Sequence, residues 1–337
     1  MSRYSRQELF AGIGKEGQAA IRKARVTLVG CGALGSVLAD TMVRAGVGSL
    51  TLVDRDDLEL SNLHRQSLFD EEDVRRGLPK AVAAEARLRR INSDVEVRGV
   101  VADLAADNAG ELVAGANLVL DGTDNFETRF LLNDVCVRAG VPWVYGACVA
   151  SYGLALLVRP KVSPCLRCVL EEMPPPGSGP TCDTAGVVAP IVHVIAGIQA
   201  GEALKVLAGR TESLLPGIVT VDLWQGTFEV MDLRPQAPSC PACTQGRFDF
   251  AEAAAGGAAV LCGRDAVQVR PPRGTRVDLP SLAGRLAAAG DVTANAYLVR
   301  FRAGANELVV FADGRAIVKG VKDVAQARSV YARYVGS

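Results

Sequence analysis

The feature that most constrains how this chain folds is GCGALG, in which Gly30, Gly32 and Gly35 stand between two periodic segments. RVTLVG at 25–30 is an apolar, β-branched run, and residues 36–47 place Val37, Leu38, Met42 and Val43 at helical spacing. A strand, a tight glycine turn and a helix form a unit whose backbone N–H groups approach a phosphate at the helix N-terminus. SLTLVD at 49–54 follows as a second strand, and its last residue, Asp54, lies where an acid would hold a ribose hydroxyl.

The alternation continues. A helix over 75–91 starts after Pro79, and VEVRGVVA at 95–102, NLVLDGTD at 117–124 and VPWVYGAC at 141–148 are short strands with helices between them. This predicts an α/β fold: a Rossmann-like, mainly parallel sheet with helices on both faces. Residues 160–183 are a Pro-, Gly- and Cys-rich loop. VVAPIVHVIAGIQAGEALKVLAG then has the length and composition of a buried helix, and 219–233 reads as a hairpin that extends the sheet in antiparallel fashion. The expected organisation is a nucleotide-binding domain at 1–248, a linker of small residues within 249–259, and a small α+β module at 260–337 built as strand, helix, hairpin and helix.

GxGxxG followed by an acid fits an NAD-binding fold, and an NAD-dependent oxidoreductase is one reading. The neighbouring residues favour another. Arg65 in SNLHRQSLF and Lys80 in GLPKAVAA bring two cations to the phosphate site, which suits a triphosphate with a leaving group to stabilise and serves no purpose in hydride transfer. Asp121 and Asp124 in LVLDGTDNFETR end a later strand, where an open α/β sheet builds its ligand crevice and where a carboxylate can hold Mg²⁺.

Lysine plus arginine and aspartate plus glutamate each number 37, so no electrostatic attraction to nucleic acid or a membrane surface is expected. MSRYSRQELFAGIG lacks the pattern of a signal peptide, and no apolar run reaches the ~18 residues of a spanning helix. A cytoplasmic location follows as the expectation, with reduced cysteines. Among the nine cysteines, Cys165 with Cys168 and Cys240 with Cys243 form two CxxC pairs whose four thiolates would close a structural Zn²⁺ shell and staple the loops. The Pro-rich loops around them argue against redox pairs. Cys31, Cys136, Cys148 and Cys262 are expected to be packing residues, and His193, one of two histidines, a core residue.

In order, RYSRQ, GCGALGS, LVDRDDLELSNLHRQ, GLPK, DGTDN, CLRC, CDTAGVV and CPAC resemble the ThiF/MoeB/HesA family of adenylyltransferases, which look like the core of ubiquitin-activating enzymes. The resemblance covers about residues 3–246. It implies ATP-dependent adenylation of the C-terminal glycine of a small β-grasp sulfur-carrier protein with a diglycine tail. Asp54 would then hold the ribose, Arg65 and Lys80 the phosphates, and Asp124 the Mg²⁺, with Asn62 and Gln66 lining the pocket. Arg6 would reach into the site of the second subunit of a homodimer. Cys182, in TCDTAGVV, accepts the carrier covalently in some members, and a helix start there would lower its pKa. The chain continues to residue 337, past the end of the simplest members. That tail is too short for a rhodanese domain, so another protein would supply the sulfur. Its LCGRDAVQ resembles an extension of some bacterial members, and carrier docking and dimer contacts are both open as its task. A tRNA-modifying dehydratase of the same superfamily and a non-catalytic scaffold for a ubiquitin-like protein also remain open readings.

Overall fold

The computed structural model describes residues 3–175, 178–233, 239–253, 257–261, 266–272, 274–304, 306–321 and 323–336. It divides into two compact units, Met1–Ala253 and Ala254–Ser337.

In the first unit, strands β1 (Arg25–Val29), β2 (Ser49–Asp54), β3 (Glu96–Val101), β4 (Leu118–Asp121) and β5 (Trp143–Val149) are parallel. β6 (Tyr152–Val158), β7 (Gly217–Asp222) and β8 (Thr227–Asp232) continue antiparallel from β5, giving the order β3-β2-β1-β4-β5-β6-β7-β8. The helices are α1 (Ser5–Leu9), α2 (Gly14–Ile21), α3 (Ala33–Ala45), α4 (Glu71–Arg75), α5 (Lys80–Ile91), α6 (Ala106–Val113), α7 (Phe126–Ala139), α8 (Leu166–Val169), α9 (Cys182–Ala185) and α10 (Ala189–Leu207).

Side-chain alternation splits the interior in two. Leu118 and Leu120 of β4 join α3, α5 and α10 in one core. Val119 between them joins α6 and α7 in the other. Both faces of the parallel strands are therefore covered, which is why β1 and β4 are apolar nearly throughout. The predicted doubly covered sheet and its antiparallel extension are both present. The helix expected to start after Pro79 is α5, and Gly77 at φ +58° and Pro79 separate it from the short α4 before it, which ends at Arg75.

By length and composition α10 is long and apolar enough to cross a membrane. Here it is a core helix, with Ile191, Val192, Ile195 and Ala196 buried. The buried Gln199 donates its amide to the carbonyls of Asp121 and Val144 at 2.9 and 3.1 Å. His193 faces outward and is exposed, against the expectation of a core position. The residues after the second CxxC stay with this unit. Phe250 packs its ring at a tilt of 58° against Phe130 with centroids 4.9 Å apart, and its N–H donates to Asp134 at 2.9 Å.

The second unit is an antiparallel sheet of β9 (Gly257–Leu261), β10 (Ala266–Arg270), β11 (Asp291–Ala294), β12 (Leu298–Ala303), β13 (Asn306–Phe311) and β14 (Ala316–Lys319), ordered β11-β12-β13-β14-β10-β9. Helices α11 (Leu279–Leu286) and α12 (Val324–Tyr334) pack Leu282, Leu286 and Ala327 against Val267, Phe301, Leu308 and Val318. β9 begins at Gly257, inside the stretch read as linker. Cys262 lies outside the described residues.

Candidate active site

The strand order reverses at β1, whose neighbours are β2 and β4, and the crevice at that switch point is where such a sheet takes a ligand. Three glycines make the crevice. Gly30 ends β1 at φ +85°, where a side chain is strained, and a Cβ there would lie 2.6 Å from the Gly122 carbonyl oxygen. A Cβ on Gly35 would lie 1.9 Å from the Gly30 carbonyl oxygen. Gly32 caps α3, so the free N–H groups of that helix open onto the crevice. We expect Gly35→Ala to push α3 off the β1 and β4 turns and to destabilise the protein by about 1–3 kcal/mol, read from the denaturant midpoint. An unchanged midpoint would contradict this packing.

Asp54 is buried at the end of β2, and both of its carboxylate oxygens accept backbone N–H groups, from Cys31 at 2.6 Å and from Asp56 at 2.8 Å. It thus fastens the glycine turn to β2, and each oxygen keeps a second lone pair for a ribose hydroxyl. Burial pushes its carboxyl above the ordinary range, with Lys80 pulling the other way. Lys80 opens α5, is buried, and its Nζ lies 3.1 Å from Asp56 Oδ2. Arg55 pairs with Asp103 at 3.2 Å and lies within electrostatic reach of Asp56, Asp124 and Asp54 as well.

A 3₁₀ turn, Leu60–Asn62, carries the next group. The Asn62 carboxamide oxygen accepts the Glu59 N–H at 3.2 Å, and the Asn62 carbonyl accepts the N–H groups of Arg65 and Gln66 at 3.1 and 3.0 Å. Gln66 is buried beside the cradle, with its amide nitrogen 3.8 Å from where a Gly32 side chain would start. Its carboxamide oxygen has no hydrogen-bond partner, an orphaned buried polar atom that a nucleotide would satisfy. Arg65 donates to the Ser61 carbonyl at 2.8 Å.

Asp124 is exposed in the turn between β4 and α7. The turn is held from beneath. Asp121 Oδ1 accepts the Thr123 N–H at 2.9 Å and its hydroxyl at 2.7 Å, while Arg129 donates to the Thr123 carbonyl at 2.7 Å. Asp124 lies near Cys182, as do Arg65 and Arg129. The fold therefore gathers Gly30, Gly32, Gly35, Asp54, Asn62, Gln66, Lys80, Arg65, Asp124 and Cys182 around one crevice. Glycine turn, exposed carboxylate and orphaned amide fit a nucleotide with its magnesium ion.

Arg6 is not brought there within its own chain. It is exposed on α1, whose neighbours Tyr4 and Gln7 contact the far end of α3: Tyr4 crowds Gly46, and Gln7 donates to the Ala45 carbonyl at 3.0 Å. A helix of 13 residues puts that end about 20 Å from the cradle.

Cys182 opens α9, but that helix has only four residues, and the expected fall in thiol pKa does not occur. Burial pushes the thiol up, Asp124 adds to the effect, and Arg65 opposes it. Cys182 Sγ donates to the Cys148 carbonyl at 3.2 Å. We expect iodoacetamide to label Cys182 only at a pH above that of an ordinary thiol, because a raised pKa keeps the unreactive protonated form dominant. Asp124→Asn should speed labelling at fixed pH and Arg65→Ala should slow it, read by peptide mass spectrometry. The reverse order would contradict this placement.

Away from the crevice, the sulfurs of Cys165, Cys168, Cys240 and Cys243 all lie within 4.8 Å of one another. Two cross-pairs are 3.5 and 3.3 Å apart. A tetrahedral centre with metal–sulfur bonds of about 2.3 Å requires sulfurs about 3.8 Å apart, so the four fit one ion. The Asn133 carboxamide accepts the Leu166 N–H at 2.9 Å and its amide lies 3.7 Å from Cys165 Sγ, tying the cluster to α7. Cys165 caps α8 and so stands at a helix start, which the loop reading did not anticipate. Two of the thiols are nonetheless raised: hydrogen bonding to Cys168 and burial push Cys165 up, and burial pushes Cys243 up to about 12.

Four residues of the site carry no sequence-level role: Gly122, Asp56, Arg55 and Arg129. Arg129 is buried on α7 together with the polar Thr128, Asn133 and Asp134, so its charge is not singled out by the sequence. Gly122 becomes visible once β1 and β4 are adjacent, and Asp56 and Arg55 once the end of β2 meets Lys80 and Asp103.

The profile of the ThiF family matches residues 4–242. This chain belongs to the ThiF family. Among relatives, the sulfur carrier protein ThiS adenylyltransferase of Bacillus subtilis is 47% identical, and the match covers 99% of each chain. The SAMP-activating enzyme E1 of Haloferax volcanii is 41% identical over 75% of this chain and 92% of its own. The ThiF family fold is also that of the Escherichia coli MccB crystal structure, at a TM-score of 0.63 and 22% identity, covering 72% of each chain.

Proposed function

We propose that this chain adenylates the C-terminal glycine of a small ubiquitin-like sulfur-carrier protein, using ATP and releasing pyrophosphate. A carboxylate oxygen of the carrier attacks the α-phosphorus, the bond to the bridging oxygen breaks, and pyrophosphate leaves with the electron pair. No proton is transferred, so no general base is needed from either histidine, His193 exposed on α10 or His64, whose ring nitrogen lies 2.9 Å from Arg65. The work of the protein is alignment and charge neutralisation.

Gly30, Gly32 and Gly35 would seat the phosphates on the N-terminus of α3, Asp54 would hold the ribose, and Asn62 and Gln66 would line the pocket. Lys80 and Arg65 would neutralise the pyrophosphate. Asp124 would hold Mg²⁺, which when bound shields the phosphate charge. Arg6 would serve the partner subunit of a homodimer, in line with its distance from its own cradle. The four-cysteine cluster would bind Zn²⁺ as a structural staple, and Cys182 would take the activated carrier covalently. Another protein would supply the sulfur, in the cytoplasm, and residues 1–248 would carry the activity.

What supports this reading is that Lys80 lies within electrostatic reach of Cys31 in the glycine turn, and Arg65 and Asp124 within that of Cys182. The names of the relatives support the carrier as acceptor. With ATP, magnesium and a diglycine-tailed carrier, mass spectrometry should find carrier bearing one AMP. Carrier recovered unmodified, with ATP intact, would overturn it.

A further inference from the structure

We infer that Asp121 and Arg129 are positioning residues that act as a buried clamp setting Asp124 in place for the metal–nucleotide complex; the inference rests on the reading of Asp124 given above. Asp121 is 0% and Arg129 6% exposed, and the two form an ion pair with 3.4 Å between Nε and Oδ2. Burying two charges is expensive, and a well-packed apolar pair often serves stability as well or better. The geometry shows what this pair does instead.

Thr123 is gripped at both ends. Its N–H and hydroxyl donate to Asp121 and its carbonyl accepts from Arg129, at 2.9, 2.7 and 2.7 Å. Arg129 also donates to the Gly146 carbonyl at 3.3 Å, which anchors the grip on β5. The guanidinium lies 5.4 Å from the Phe126 ring centroid and 5.2 Å from that of Tyr145. On the other side, Gly122 is wedged against Gly30 and Gly35, where a Cβ would come within 2.6 Å of the Gly30 carbonyl oxygen. The peptide entering Asp124 therefore has little freedom, although Asp124 itself is exposed. A carboxylate on a mobile turn would have both backbone and side chain to order on each binding event, and the clamp leaves only the side chain.

The clamp is removed as a pair, by Asp121→Asn with Arg129→Gln, so that no unpaired charge is left buried. The readout is calorimetric: the factor by which magnesium tightens ATP binding. Wild-type and clamp variant should bind magnesium-free ATP alike, melt within a few degrees of one another and hold equal metal at the cysteine cluster. The magnesium-dependent gain should fall about ten-fold in the variant, with Arg129→Lys between the two. In an Asp124→Asn background the clamp substitutions should produce no further loss, because both act through one group. An unchanged gain, or a further loss in the Asp124→Asn background, overturns the clamp while leaving Asp124 as metal holder. If Asp124→Asn alone leaves the gain intact, the reading of Asp124 falls and the clamp with it.

Discussion

Lys80→Gln should lower carrier-dependent adenylation by about 10²–10³-fold, the usual loss when one preorganised charge facing a developing anion is removed. Lys80 is the most buried cation of the crevice, at 3% exposure, and it opens α5 with its ammonium 3.1 Å from Asp56. Its charge is therefore fixed in place before substrate arrives. Water around an exposed lysine would have to reorganise as pyrophosphate departs; a buried one requires no such change. The loss should appear in the rate at saturating ATP more than in ATP affinity, since the charge on the leaving group grows only as the bond breaks. The glutamine can still donate to Asp56, so a modest change in melting temperature is expected beside the large loss of activity. A rate within three-fold of wild-type would remove Lys80 from the mechanism.

Removing metal from the four-cysteine cluster should have the largest effect on stability. The cluster joins the segment after β6 to the segment after β8 and fixes both to α7 through Asn133, while Arg167 pairs with Asp134 at 3.5 Å and Asp249 at 3.0 Å. Without an ion, four sulfurs this close are mutually unfavourable as thiolates. Structural zinc contributes about 10–16 kcal/mol of apparent binding energy in small peptides, and even a fraction of that is large against a typical stability of about 5–15 kcal/mol. Prolonged chelation, or Cys165→Ser with Cys240→Ser, should lower the melting temperature by 10 °C or more in rough terms and expose 166–169 and 239–253 to proteolysis. The purified protein should hold one zinc per chain. A metal-free protein with the same melting temperature would contradict the staple.

Much of the fold was legible because the glycine turn and the apolar strands are local signals. RVTLV, SLTLVD and the residues between them fix a βαβ unit with no long-range information. β6 was not legible: YGLALLV is apolar without alternation, and such a run does not distinguish a strand from a helix segment. Short polar β11, DVTA, carries too little pattern to be read, so a sheet of six strands looked like a hairpin with companions. At the site, Lys80, Arg65 and Asp124 were legible as charges next to turns. Asp56 and Arg55 act through partners distant in sequence, Lys80 at the start of α5 and Asp103 after β3, and Arg129 through Thr123 and the Gly146 carbonyl on β5, contacts that only the folded chain makes. The Cys182 thiol shows the same limit. A helix start in the sequence suggested a lowered pKa, while burial and Asp124, visible only in three dimensions, reverse the sign.

Exchange of labelled pyrophosphate into ATP tests the central claim most directly, because it reads formation and reversal of the acyl-adenylate without needing the sulfur donor. With magnesium and a carrier ending in diglycine, exchange should be rapid, should vanish when the terminal glycine is removed, and should be lost in Lys80→Gln. Exchange that is absent with the intact carrier, or indifferent to its last residue, would contradict the account.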